Sequence, residues 1–110
     1  MSGRIKIFNG QIIHQNQIQS GGCLFIENGK IVDVLSNNID FPDAELVDAQ
    51  GNFVSPGFID IHIHGGGGAD FMDGTVAGFL QIAETHAKHG TTSMLPTTLT
   101  CEKEDLIQTL

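Results

Sequence analysis

The sequence predicts an α/β fold: a small antiparallel β domain over residues 1–55, followed over residues 56–110 by the first two strand–helix units of an incomplete (β/α)8 barrel. Three observations carry that prediction. Asn-Gly pairs recur between β-branched runs in the first half. After Ser55-Pro56-Gly57 the apolar period changes, and a strand, a helical stripe and a second strand follow in turn. The strand Phe58–His64 is apolar on one face and ionisable on the other, with Ile59, Ile61 and Ile63 opposite Asp60, His62 and His64.

In chain order, Ile7-Phe8-Asn9-Gly10-Gln11-Ile12-Ile13 has the pattern of Ile26-Glu27-Asn28-Gly29-Lys30-Ile31-Val32. Asn and Gly tolerate the positive φ that a type I′ turn needs at both central positions, so hairpins are predicted at about 4–13 and 23–35. The polar stretch Gln15 to Gly22 reads as a connection or a weak third strand. Leu46-Val47-Asp48 and Asn52-Phe53-Val54 flank a turn at Ala49-Gln50-Gly51. Pro56 marks the boundary, because it lacks a ladder donor and disfavours helix at the residue before it.

Beyond the boundary, the strand Phe58–His64 runs into Gly65-Gly66-Gly67-Gly68 and a loop through Asp70 and Asp73. From Thr75, the positions Val76, Phe79, Leu80, Ala83 and Ala87 form one helical stripe. Lys88 and His89 suit its last turn and Gly90 its end. Thr91 to Thr98 predicts a second strand, and Thr100 a cap for a second helix with Glu102, Glu104 and Asp105 in its first turn. A helix of about 15 residues spans roughly 22 Å and a strand of about eight roughly 26 Å, so the helix can return the chain to the start of a parallel neighbour. Two such units cannot close a barrel, which takes eight.

The formal charge of −8, with only five Lys and Arg, argues against a nucleic acid or an anionic membrane as the main partner. Cys23 and Cys101 lack Cys-x-x-Cys spacing and read as two reduced thiols. There is no signal-peptide block after Met1 and no apolar run of membrane-spanning length, so a soluble cytoplasmic protein is expected.

His62 and His64 are the candidate metal ligands. Two residues apart on a strand, their Cα atoms lie roughly 7 Å apart, which lets both imidazoles converge on one ion at about 2.0–2.1 Å. Imidazole suits zinc, iron, nickel and copper. A catalytic zinc usually takes three protein ligands, so two histidines are not a whole site. Asp60 lies deeper in the strand and reads as a structural carboxylate. Gly65 and Gly66 are candidates for substrate binding, since backbone without a Cβ can approach a metal or substrate closely. A phosphate-loop reading of the glycine run fails, because Gly-x-Gly-x-x-Gly would need glycine at Asp70 or Phe71. His86 and His89 lack a His-Glu-x-x-His arrangement and read as surface or packing residues; His14 reads as solvated and Asp73 as a helix-start residue. Thr97 and Thr98 end the second strand, which would put them near the same mouth; packing of that strand accounts for them equally well.

The stretch Val54-Ser55-Pro56-Gly57-Phe58-Ile59-Asp60-Ile61-His62-Ile63-His64-Gly65 resembles the first barrel strand of the amidohydrolase superfamily. The continuation from Gly66 to Asp73, and the segment from Gly90 to Thr98, narrow the resemblance to the N-acetylglucosamine-6-phosphate deacetylase family over nearly the whole chain. The resemblance implies a metal-dependent (β/α)8 barrel with a small β domain assembled from both chain ends. It implies metal-dependent hydrolysis of the N-acetyl group of N-acetylglucosamine 6-phosphate, giving glucosamine 6-phosphate and acetate. By the same resemblance His62 and His64 hold a divalent metal, zinc or iron, in a site able to take more than one ion. The expected partners are an amino-sugar phosphate substrate and further copies of the full-length protein. No catalytic residue is expected within this chain: the family's remaining ligands, its last-strand Asp and its phosphate-binding residues would fall beyond Leu110. The segment alone is therefore expected to be inactive and to bind metal weakly. Alternatives are another amidohydrolase (a dihydroorotase, a deaminase or an amino-acid deacylase) or a non-catalytic β module that acts by association.

Overall fold

The computed structural model describes residues 3–110, so the first two residues of the predicted β domain lie outside it. The chain divides into two units, Met1–Pro56 and Gly57–Leu110.

In the first unit the strands are β1 (Arg4–Phe8), β2 (Gln11–Ile13), β3 (Ile18–Ser20), β4 (Cys23–Glu27), β5 (Lys30–Leu35), β6 (Glu45–Asp48) and β7 (Phe53–Val54). They form two sheets, one in the order β5-β4-β1-β6 and the other β3-β2-β7. The hairpin predicted at 23–35 is present. β4 and β5 pair antiparallel across Asn28 and Gly29, whose φ angles of 52° and 76° are those a type I′ turn demands. At Gly29 that positive φ is the whole reason for glycine, since a Cβ there would meet nothing. Replacing Gly29 by Ala is expected to cost about 1 kcal/mol, read as a lower urea midpoint at constant slope.

The hairpin predicted at 4–13 is absent. β1 belongs to the first sheet and β2 to the second, so Asn9-Gly10 passes the chain from one sheet to the other. Here glycine serves space: a Cβ on Gly10 would lie 2.7 Å from Val54 Cγ2 and 2.9 Å from the Ala49 Cβ. The Ala49-Gln50-Gly51 turn runs beside this corner. Ala49 N donates to Phe8 O, Gly51 N to Asn9 O and Gln11 N to Asn52 O, at 2.7–2.9 Å. As a result β6 runs parallel to β1, and β7 parallel to β2. The unit is therefore mixed rather than antiparallel. Two passages of chain, some forty residues apart, turn the same corner side by side, and local turn chemistry carries no trace of that pairing. The weak third strand is real, as β3 pairs antiparallel with β2.

The second unit holds β8 (Phe58–Ile63), β9 (Gly65–Gly66), β10 (Ala69–Asp70), a 3-10 turn at Phe71–Asp73, α1 (Val76–Ala87), β11 (Thr91–Pro96) and α2 (Lys103–Thr109). β8 and β11 are parallel neighbours, as strands joined through a helix should be. Asp70 caps the 3-10 turn by accepting from Met72 N, and Asp73 accepts in return from Asp70 N. Asp73 therefore belongs to the turn before α1, and the cap of α1 itself is Thr75, whose Oγ1 accepts from Gly78 N. Thr100 does not cap α2; the capping position is Glu102, without a side-chain cap bond.

The core of this unit is Ile63, Phe71 and Ile82, with Ala69, Phe79 and Met94 packed around them. Only part of the predicted α1 stripe points inward. Gly78 and Ile82 are buried and Phe79 and Ala83 half-buried, while Val76 and Leu80 face outward. The inward row runs Gly78, Ile82, His86, four residues apart along one side of the helix. On β8, Ile63 is covered but Ile59 and Ile61 remain 69% and 73% exposed. No helix among the described residues is long and apolar enough to cross a membrane.

Candidate metal-binding site

Ile63 at the end of β8 is locked into the core, and by strand alternation that turns Asp60, His62 and His64 to the opposite face. The Asp60 carboxylate accepts from His62 N at 3.1 Å, which agrees with a structural role for Asp60. The two imidazoles meet: Nε2 of His62 lies 3.2 Å from Nε2 of His64, and the rings sit edge to face at 75°. Two nitrogens on one tetrahedral zinc, each at about 2.0–2.1 Å, are separated by roughly 3.3–3.4 Å. The pair therefore already has the spacing of two corners of a coordination tetrahedron. The same distance suits an N–H···N bond in which one ring donates to the other.

A second observation concerns the far nitrogen. His64 Nδ1 is buried and has no hydrogen-bond partner among the described residues. When Nε2 ligates, Nδ1 carries the ring proton, and a ligating histidine normally gives that proton to an acceptor. No third His, Cys, Asp or Glu joins the pair among the described residues. The residues present fit two corners of a metal site and leave the others to groups not among them.

Directly after His64 the chain folds back on itself. β9 and β10 form a two-residue hairpin around Gly67 and Gly68, with φ of 63° and 85°. The 3-10 turn then returns Phe71 N to His64 O at 2.9 Å. Of the glycines predicted as substrate loop candidates, Gly66 permits a close approach to α1 and Gly65 a close approach across the hairpin. A Cβ on Gly66 would sit 2.5 Å from His86 Nε2, and one on Gly67 would collide with Thr85 Oγ1. Gly65 is excluded from carrying a side chain by the Ala69 carbonyl across the hairpin.

His86 is thus a packing residue with a specific bond, its Nε2 lying 3.2 Å from Gly65 O. Packing is one of the two roles the sequence offers for His86; the bond to Gly65 O is not announced, although the four-residue spacing of Gly78, Ile82 and His86 signals the inward face. His89 is exposed and bonds back to Thr85 O. His14 is half-buried against Gln19 Oε1 at 3.1 Å rather than free in solvent. Thr97 closes the end of β8: its N donates to Ile63 O at 2.8 Å, and its Oγ1 accepts from Ile63 N at 3.2 Å.

Comparison with known proteins gives a consistent picture. The amidohydrolase family model matches residues 53–109. The chain is 37% identical, over 100% of its length, to the N-acetylglucosamine-6-phosphate deacetylase of Bacillus subtilis (strain 168), and spans 28% of that protein. It is 44% identical over 62 residues to the dihydroorotase of Aquifex aeolicus (strain VF5), a match covering 56% of this chain and 14% of that one. The crystal structure of N-acetylglucosamine-6-phosphate deacetylase from Pasteurella multocida superposes with a TM-score of 0.88 at 31% identity, over 96% of this chain and 28% of that chain.

Proposed function

We propose a function from one premise: this chain belongs to the amidohydrolase family. The full-length protein removes the acetyl group of N-acetylglucosamine 6-phosphate, leaving glucosamine 6-phosphate and acetate. One observation carries that choice within the family. Likeness to the Bacillus deacetylase extends over 100% of the chain, the β unit included, whereas likeness to the dihydroorotase extends over 56%. The dihydroorotase reading is the second one, on the strength of its higher identity over that shorter stretch.

In this reading His62 and His64 hold a divalent ion, zinc or iron. When bound, such an ion polarises the amide carbonyl and supplies hydroxide near neutral pH. The chain's own contribution is placement. Burial of Ile63 and the Thr97 bonds set the end of β8, Asp60 braces the backbone at His62, and the two Nε2 atoms lie 3.2 Å apart. Gly65 and Gly66 offer backbone without side chains next to His64 for the acetamide or its sugar.

β8 and β11 are then the first two strands of the barrel, whose later elements would cover Ile59 and Ile61. Unit Met1–Pro56 contributes strands of the small β domain. It carries an aliphatic cleft of about 490 Å³ lined by Ile12, Ile31, Val34 and Val54, which further strands can fill. A cytoplasmic homo-oligomer belongs to the same reading.

The test is substrate profiling of the metal-loaded full-length protein. Acetate and free amine should appear in equal amounts from N-acetylglucosamine 6-phosphate. Ring opening of dihydroorotate without acetate release would overturn the choice. The purified 110-residue chain should release no acetate, since His62 and His64 are only two corners of a metal site and no third His, Cys, Asp or Glu joins them among the described residues.

A further inference from the structure

We propose that His86 is a positioning residue for the histidine pair: its imidazole ties the hairpin that follows His64 to α1 and so holds the His64 backbone in place. The proposal rests on the metal-site reading above.

A carbonyl oxygen can only accept, so the 3.2 Å contact with Gly65 O requires a proton on His86 Nε2. That bond completes a pair. The two carbonyls at the end of the site strand, His64 O and Gly65 O, are bound by Phe71 N and His86 Nε2 respectively. Both bonds lie on the C-terminal side of the His64 Cα; on its N-terminal side Ile63 O accepts from Thr97 N at 2.8 Å, so the His64 side chain hangs from backbone held before and after it.

The fastening matters because the hairpin has little stability of its own, with two residues in each strand. It also matters because the ring of His64 has no acceptor for Nδ1 among the described residues. A ligating imidazole is ordinarily oriented by such a bond. Here the orientation falls on the backbone, and His86 is the side chain that holds it. The ring fills the space left by the missing Cβ of Gly66, from which its three nearest atoms would lie 2.5–3.4 Å away. An apolar residue at position 86 could occupy that space, but only a side chain with a hydrogen-bond donor can also bind Gly65 O.

The experiment measures zinc affinity of the full-length protein by competition with a chelating dye, a readout independent of turnover. His86→Ala should weaken zinc binding by about tenfold, the lower end for groups that orient metal ligands. His86→Gln, which keeps an N–H at similar reach, should restore most of it. Wild-type zinc affinity in His86→Ala, or a His86→Gln variant no better than alanine, overturns the proposal. Should His86→Ala fail to fold, nitrogen NMR of the histidine-labelled wild-type protein decides: a protonated His86 Nε2 supports the bond, and an unprotonated one refutes it. The His62→Ala/His64→Ala protein separates the two readings. If it loses zinc while His86→Ala does not, only the positioning role fails; if it keeps the full wild-type zinc content and affinity, the metal site itself is wrong.

Discussion

Replacing His62 and His64 together by alanine in the full-length protein is expected to lower kcat/KM for deacetylation by about a thousandfold or more, roughly 4 kcal/mol. The size follows from what is removed. The two Nε2 atoms are the nitrogens that converge at 3.2 Å, and no other His, Cys, Asp or Glu among the described residues stands ready to replace them. Fold should survive, because His62 is exposed and His64 only half-buried, while the apolar anchor of the strand, Ile63, is untouched. The check is paired: metal content by elemental analysis, and steady-state kinetics with N-acetylglucosamine 6-phosphate. Full metal content with near wild-type turnover in the double variant would end the assignment of these histidines.

Phe71→Ala carries the largest expected effect on stability, about 3–5 kcal/mol. Phe71 is 2% exposed and sits edge to face with Phe79 at 4.8 Å, between Ile63 and Ile82. Removing the ring loses its transfer free energy and opens a cavity walled by groups held from three directions: β8, α1 and the hairpin. Its position also ties stability to the site, since Phe71 N is the donor to His64 O. The measurement is the urea midpoint of the full-length protein with the slope checked for constancy. A loss below about 1 kcal/mol would mean that this cluster is not the core of the unit. Phe71→Leu, which refills most of the volume, should lose far less.

Much of the second unit is legible from its residues. The Ile–x–Ile–x–Ile alternation places both histidines on one face, and the inference needs only the two-residue period of a strand. Gly90 and the Thr-rich segment after it announce a helix end and a new strand, and both are found. The α1 stripe is half right for a physical reason. Periodicity finds every apolar side of a helix, including Val76 and Leu80, which are 79% and 65% exposed here. It cannot say which side the neighbouring strands cover. The Asn-Gly pairs make the same point more sharply. Asn28-Gly29 is a turn because of φ, whereas Gly10 is glycine because Val54 and Ala49 crowd it. The letters are the same and the reasons are not.

What the chain determines by itself is chemistry and local geometry: a pair of imidazoles on one face of a strand, a glycine run that must bend, and a helix that must return. These depend on dihedral preferences and on the spacing of side chains along a backbone, which act within a few residues. Only the tertiary structure decides that β6 and β7 lie parallel beside β1 and β2, and that the glycine hairpin is seated on His86. Those are contacts between residues some twenty to forty apart, chosen by burial and by room for a backbone, and such choices exist only once the chain has folded.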